Sequence, residues 1–292
     1  MFFDASDELN LKNPDYIKSV ELYVWQAYLN DAGDGDVTSD LLIDKNKPVK
    51  AEIKSNSSGI LAGIQEAEWF LKKTGLKIVK KMKDGSRIKE GDIILSISGK
   101  AGKILACERT LLNLLQRMSG VATKTNQMAA RLPKNIKLLA TRKTLWGDLD
   151  KRAVSVGGGC THRLNLSDAV LVKDNHIPLI SKKLDFKRIK KNIRFVEIEF
   201  DTLEQVTSFA QNFRKSDFKN IAVMLDNFKP ADIKKAVNIL KKTGVAIEVS
   251  GGVNEKNISG YAIAGVSAIS SGSLTNKADS LDFSLNIGGL ST

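Results

Sequence analysis

Apolar residues recur at near-helical spacing through residues 16–30 and predict a helix ending before Asp31-Ala32-Gly33. A second helix is predicted over 64–73. Short alternating runs at 49–54, 76–80 and 93–97 read as strands, with turn signals at Asp84-Gly85 and Gly91-Asp92. The N-terminal third is therefore mixed α and β. From near Cys107 to about Arg131, the residues Leu111, Leu112, Leu114, Leu115, Met118, Val121 and Met128 form the apolar stripe of one long helix, with Pro133 marking its end. This helix is expected to join two domains.

The rhythm then changes. Apolar, β-rich runs appear at 136–141, 169–172, 195–199, 221–225, 245–249 and 266–270, separated by helix-compatible segments such as 202–214 and 231–243. Strands alternating with helices predict a parallel sheet with right-handed crossovers, and near-continuous apolar strands fit a sheet covered on both faces. The runs lead into Arg142-Lys143, Lys173, Glu199, Asp226, Ser250-Gly251-Gly252 and Ser271-Gly272-Ser273, and from Lys173 onward the steps are 21 to 27 residues, each read as a βα unit. A barrel brings all such strand ends to one face, whereas an open doubly wound sheet would bring together only those near its switch point. A six-stranded barrel is the expected architecture.

Composition narrows the class. The 292 residues are 42% hydrophobic and 27% charged, ordinary for a globular chain. No run approaches the ~18 apolar residues that cross a bilayer, so membrane insertion is not expected. Met1-Phe2-Phe3-Asp4-Ala5-Ser6-Asp7-Glu8 lacks the basic and apolar regions of a secretory signal. Two cysteines, Cys107 and Cys160, make no disulfide framework, and a cytoplasmic location is the simplest expectation. The net charge of +12 favours anionic partners. Basic clusters at Lys80-Lys81 and at 187–191 lie in polar stretches without an aromatic platform or helix-turn-helix signature, so nucleic-acid binding is not expected.

The strand ends carry the candidate chemistry. Arg142-Lys143 sets a guanidinium beside an ammonium, suited to carboxylate or phosphate, with a solvated loop as the plain alternative. Gly157-Gly158-Gly159-Cys160-Thr161-His162-Arg163 joins backbone freedom to two donors, and reads equally as a helix C-cap and turn. Lys173-Asp174-Asn175-His176 begins at a strand end. His162 and His176 are the chain's two histidines, and no Cys or His cluster has zinc spacing. Glu197 and Glu199 share one strand face, with Asp226 one unit later. Such carboxylates suit Mg²⁺, or pair with Lys143 or Lys173 in an ion network. The Ser250-Gly251-Gly252 and Ser271-Gly272-Ser273 turns are candidate phosphate cradles at helix N-termini, or simple tight turns. Glu108-Arg109-Thr110 is read as opening the long helix, where an arginine opposes the dipole unless it meets an anion.

Taken in order, these segments resemble one family. Gly35-Asp36-Val37-Thr38, then 108–122 (ERTLLNLLQRMSGVA), 140–144 (ATRKT), 157–163 (GGGCTHR), 168–176 (DAVLVKDNH), 196–199 (VEIE), 225–228 (LDNF), 249–252 (VSGG) and 270–275 (SSGSLT) are similar to the quinolinate phosphoribosyltransferases. The resemblance implies an N-terminal α/β sandwich over 1–111 completed by the tail 276–292, and a six-stranded open α/β barrel over 112–275. It implies a pentosyltransferase that joins quinolinate to 5-phosphoribosyl 1-diphosphate with Mg²⁺, giving nicotinate mononucleotide, diphosphate and CO₂ in NAD synthesis. A homodimer with shared active sites, or a larger assembly such as a hexamer, is implied as well. Arg109 would contact quinolinate in the neighbouring subunit's site. Arg142, His162 and Arg163 would hold its carboxylates, and Lys143 and Lys173 would contact substrate and the diphosphate end. Glu199 and Asp226 would serve the ribose hydroxyls and Mg²⁺, and the turns at Ser250, Gly251 and Gly252 and at Ser271, Gly272 and Ser273 would take phosphate. Leu145-Trp146-Gly147-Asp148 replaces the family's common Pro-Gly-Leu-Arg in a shorter segment, and Asn276 stands where a His is common. The alternative is a related phosphoribosyltransferase, of the kind associated with molybdate transport, acting on another anion. Residues 84–105 also resemble biotinyl-type folds, but Lys100 lacks the methionines that flank a biotinylated lysine.

Overall fold

The computed structural model describes residues 2–180, 189, 190, 192–213 and 219–288. Lys187, Arg188 and Lys191 of the basic run, residue 214 of the segment read as a helix, and residues 289–292 of the tail lie outside these. The chain divides into two compact units, one formed by Asp7–Asn126, Leu145–Gly158 and Ala278–Thr292, the other by Met1–Ser6, Gln127–Thr144 and Gly159–Lys277.

In the first unit, α1 (Pro14–Val20) starts with proline at its first turn and the Asn13 side chain accepting from the Asp15 N–H at 3.0 Å. One wide turn, Glu21–Trp25, carries it into α2 (Gln26–Ala32), so the helical stretch runs slightly past the predicted stop. Then come α3 (Val37–Leu42), β1 (Pro48–Ser55), β2 (Gly59–Ile60), α4 (Ile64–Thr74), β3 (Lys77–Lys81), β4 (Arg87–Ile88), β5 (Ile93–Lys100), α5 (Ala101–Ala129) and α6 (Gly147–Val156). The C-terminal segment Phe283–Gly288 pairs antiparallel with β1, giving a four-stranded sheet ordered C-terminal strand–β1–β5–β3. The tail therefore completes this sheet.

Helix α5 begins six residues before the predicted start near Cys107, and its first turns bury Ala101, Ile104 and Cys107, which extend the apolar stripe toward the N-terminus at helical spacing. Arg109 consequently sits in the third turn, exposed, and the dipole argument for an anion beside it does not apply. No element is predicted over α6, yet it organises the shortened segment. Asp150, fully buried, accepts from Arg117 Nε at 3.0 Å and Nη2 at 2.9 Å, and from the backbone N–H groups of Leu145 and Trp146. Substituting Asp150→Ala leaves a buried guanidinium and two N–H groups without their acceptor. It is expected to destabilise the chain by about 3–5 kcal/mol in urea denaturation.

The second unit holds the parallel sheet. Its strands are β6 (Lys137–Leu139), β7 (Val170–Val172), β8 (Val196–Phe200), β9 (Ile221–Asp226), β10 (Ala246–Ser250) and β11 (Ala268–Ser270), in the order β6-β11-β10-β9-β8-β7. The outer strands do not pair with each other among the described residues, so the barrel is open. The gap is narrowed where Cys160 pairs in parallel with Leu139. Helix α7 (Leu203–Asn212) carries a Thr202/Gln205 capping box, and α8 (Pro230–Leu240) starts on proline. The reading of every step as a βα unit is corrected between β10 and β11, where only a 3₁₀ turn, Ile258–Tyr261, intervenes.

The floor of the barrel is aromatic and small. Phe3, Leu139, Ala169, Phe195, Ala222 and Ala268 pack as one buried cluster, with Phe2 and Cys160 against it. Alanines at the strand starts leave room that the N-terminal phenylalanines fill. The segment is pinned by the Ala5 N–H donating to Thr161 Oγ1 at 2.8 Å and by Arg194 Nη1 donating to the Asp4 carbonyl at 2.7 Å.

Candidate active site

Above that floor, the C-terminal strand ends surround a cavity of about 280 Å³. Its walls include Arg142, Lys143, His162, Arg163, Lys173, Glu199, Asp226, Glu248, Ser250 and Ser270. Cations and carboxylates that lie far apart in sequence meet there because parallel strands point their C-terminal ends the same way.

Arg142 and Lys143 follow β6 and are exposed, while Arg163 is buried and donates to the Ala169 carbonyl at 3.4 Å. Burial first, and the charge of Arg142 second, hold the Arg163 guanidinium below the usual arginine range. Two guanidiniums that repel each other beside a cavity favour an anion between them. Lys173 pairs with Glu199. Burial, with the charge of Asp226 among the smaller causes, raises Glu199 above the usual carboxylate range, and its ion pair with Lys173 works against this. Two mutually repelling carboxylates lining one cavity are a donor set that fits a hard divalent cation such as Mg²⁺.

His162 lies deeper. Its Nε2 is 2.9 Å from Glu197 Oε2 and 3.3 Å from Glu248 Oε2. Phe3 stacks on the ring with centroids 5.8 Å apart, and Phe195 meets it edge-on at 5.1 Å. Burial alone would push the imidazole down, but the charge of Glu248 and the hydrogen bond to Glu197 outweigh it and raise the pKa to about 9. A histidine raised in the folded state binds a proton that the unfolded chain has released. Its stabilising contribution is complete below about pH 6.5 and is lost as pH rises through 9. The free energy of unfolding is thus expected to fall between pH 7 and 9.5, as urea titrations across that window would record. Burial raises the Cys107 and Cys160 thiols to about 11, so neither supplies a thiolate nucleophile at neutral pH.

The structure decides several readings that the sequence leaves open. Within the glycine run, Gly157 serves packing: it caps α6, and a Cβ on it would lie 2.3 Å from the Ala122 carbonyl oxygen of α5. His176 is a satisfied loop histidine, its Nδ1 accepting from the Lys173 N–H at 2.9 Å. The Ser250-Gly251-Gly252 turn opens no helix. Gly251, at φ +93°, lies so close to Asn227 that a Cβ would approach its Oδ1 to 2.3 Å. At the last turn, Ser273–Asn276 (α9) is a single helical turn, and Ser271 Oγ donates to the Val253 carbonyl at 2.6 Å. Gly272 lies beside the Lys143 side chain. Arg109 lines a cavity of about 380 Å³ in the first unit with Tyr23, Asn30, Asp31 and Trp146. Glu248 and the Phe2-Phe3 pair are absent from the sequence-based list. A glutamate inside the apolar run 245–249 was the available signal for the former, and the N-terminal pair carries no periodicity to reveal it.

Comparison with known proteins adds an independent line. Residues 36–119 match the quinolinate phosphoribosyl transferase N-terminal domain, and residues 121–286 match its C-terminal domain. The chain is 40% identical over 271 residues to the probable nicotinate-nucleotide pyrophosphorylase [carboxylating] of Methanocaldococcus jannaschii, covering 88% of this chain and 93% of that protein. It is 37% identical to the chloroplastic nicotinate-nucleotide pyrophosphorylase [carboxylating] of Arabidopsis thaliana, covering 89% and 80% of the two. Among solved structures, the nicotinate-nucleotide pyrophosphorylase from Francisella tularensis superposes with a TM-score of 0.81 at 33% identity, covering 93% of this chain and 96% of that one.

Proposed function

The chain belongs to the quinolinate phosphoribosyltransferase family, and from that premise we propose that the barrel mouth joins quinolinate to 5-phosphoribosyl 1-diphosphate and releases diphosphate and CO₂. The observation that carries the reading is the meeting of Arg142, Lys143, His162, Arg163 and Lys173 with Glu199 and Asp226 around one cavity. Quinolinate is a dianion and its co-substrate carries further negative charge. A cluster of fixed cations offsets the repulsion of bringing them together and orients the ring nitrogen toward the anomeric carbon.

In this reading Arg142, Arg163 and His162 hold the two carboxylates, while Lys143 and Lys173 bridge substrate and diphosphate. The ring nitrogen forms the new bond to the anomeric carbon as the bond to diphosphate breaks, and Glu199 or Asp226 stabilises the oxocarbenium-like charge between them. Loss of CO₂ then leaves an electron pair at the ring carbon beside the now cationic nitrogen, and a proton replaces it. Glu199 and Asp226 would hold Mg²⁺, which when bound neutralises charge on the leaving diphosphate. The turns at Ser250-Gly251-Gly252 and Ser271-Gly272-Ser273 would take phosphate groups. Arg109 would serve the site of a second copy in a homodimer.

The curated relatives are named as carboxylating enzymes, which disfavours a phosphoribosyltransferase for an unrelated anion. Offering quinolinate and nicotinate side by side, each with 5-phosphoribosyl 1-diphosphate and Mg²⁺, tests the reading. Mononucleotide formation is expected from quinolinate, with nicotinate at least about 100-fold poorer for want of the second carboxylate. Preferential use of nicotinate would refute the proposal.

A further inference from the structure

Beneath the mouth, two carboxylates face one imidazole. Glu197 and Glu248 are fully buried on β8 and β10, and neither oxygen of Glu248 makes a well-aligned hydrogen bond among the described residues, its Oε2 lying 3.3 Å from His162 Nε2. A buried carboxylate without its bonds is costly, and an apolar side chain at the same position would pack the strand better. Its presence calls for a use.

The chemistry of the ring supplies one. His162 Nε2 is committed to the carboxylates, 2.9 Å from Glu197 and 3.3 Å from Glu248. In the neutral tautomer that donates from Nε2, Nδ1 is an acceptor, which repels a carboxylate. Only a ring carrying both protons donates from each nitrogen. We propose that Glu248, together with Glu197, is a positioning residue that keeps His162 doubly protonated and fixed at the cavity, so that it can donate to a carboxylate of the pyridine substrate. This rests on the proposed function for the identity of the ligand, but not for the state of the ring.

The surroundings agree. Glu197 from β8, which burial and the charge of Glu248 raise to about 7, and Glu248 from β10 are the titratable groups facing the ring, Phe3 and Phe195 occupy its face and edge, and Arg163 follows in the chain with a bond to the Ala169 carbonyl. The resulting pKa of about 9 leaves His162 charged at neutral pH. The aromatic walls prevent the ring from turning away from the pair.

With only two histidines in the chain, the test is direct. Proton–nitrogen correlation spectra of ¹⁵N-histidine-labelled full-length protein, with His176→Gln to assign the remaining ring, report its protonation without substrate. Wild-type His162 is expected to carry both protons at pH 7.5. In Glu248→Gln its titration should move down by at least about one unit, and KM for quinolinate should rise about tenfold while KM for 5-phosphoribosyl 1-diphosphate changes less than about twofold. A neutral wild-type ring at pH 7.5 overturns the proposal even where Glu248→Gln fails to fold, and so does a Glu248→Gln ring that titrates as in wild type. A doubly protonated ring in a protein that ignores quinolinate would refute the proposed substrate and leave this network standing.

Discussion

Arg142→Ala and Lys143→Ala are each expected to lower kcat/KM for quinolinate by about 10²–10³, the loss that follows removal of one preorganised charge at a reacting centre. Both side chains are exposed at the end of β6, so stability should change by no more than about 0.5 kcal/mol. The two variants should also differ in kind. Arg142, whose charge bears on Arg163, is assigned to the pyridine carboxylates, and its loss should raise KM for quinolinate. Lys143 is the side chain beside the Gly272 turn and is assigned to the diphosphate end, so its loss should fall on kcat and on the co-substrate. Steady-state kinetics with each substrate varied in turn would separate them. Near-normal turnover in both variants would contradict the assignment.

Phe3→Ala is expected to destabilise the barrel unit by about 3–5 kcal/mol, as removal of a large buried aromatic does when its surroundings cannot collapse. Phe3 is fully buried among strand-start alanines, and these side chains are too small to close the gap. The effect should extend to the site, because the Phe3 ring stacks on His162. A stability loss combined with a higher KM for quinolinate is the expected pair of results, read by urea denaturation and by kinetics. Phe3→Leu should recover much of the stability and less of the KM, since it restores volume without the flat face. A loss below about 1 kcal/mol for Phe3→Ala would show that the N-terminal segment does not plug the floor.

The strands of the barrel were legible because each is a short apolar run ending in a charged or small residue, and all six appear in sequence where expected. Three strands of the antiparallel sheet were legible in period two, while its fourth, Phe283–Gly288, was not read from the pattern and entered only through the tail that the family resemblance implies. What escaped the pattern depends on partners remote in sequence. Helix α5 starts early because Ala101, Ile104 and Cys107 carry its buried stripe directly on from the end of β5, with no turn residue to separate the two. The glycine run reads equally as ligand chemistry or a C-cap, and only the close approach of α5 at Gly157 decides for the cap there. Glu197 and Glu199 share one strand face in the sequence and Lys173 is a legible partner for them, which Glu199 takes, yet only the fold shows that Glu197 meets His162. Glu248 needed the knowledge that β10 faces inward at that residue. The Phe2-Phe3 pair needed the alanines of three distant segments, Ala169, Ala222 and Ala268, to give it a socket.

The central claim is that separate cationic segments form one mouth shaped for a doubly negative pyridine. Calorimetric titration of quinolinate and nicotinate into the wild-type chain and Arg163→Ala measures it most directly. The account predicts that wild type binds quinolinate at least about tenfold more tightly than nicotinate, and that Arg163→Ala largely abolishes this difference. Equal affinity of wild type for the two ligands, or an unchanged preference in Arg163→Ala, would contradict it.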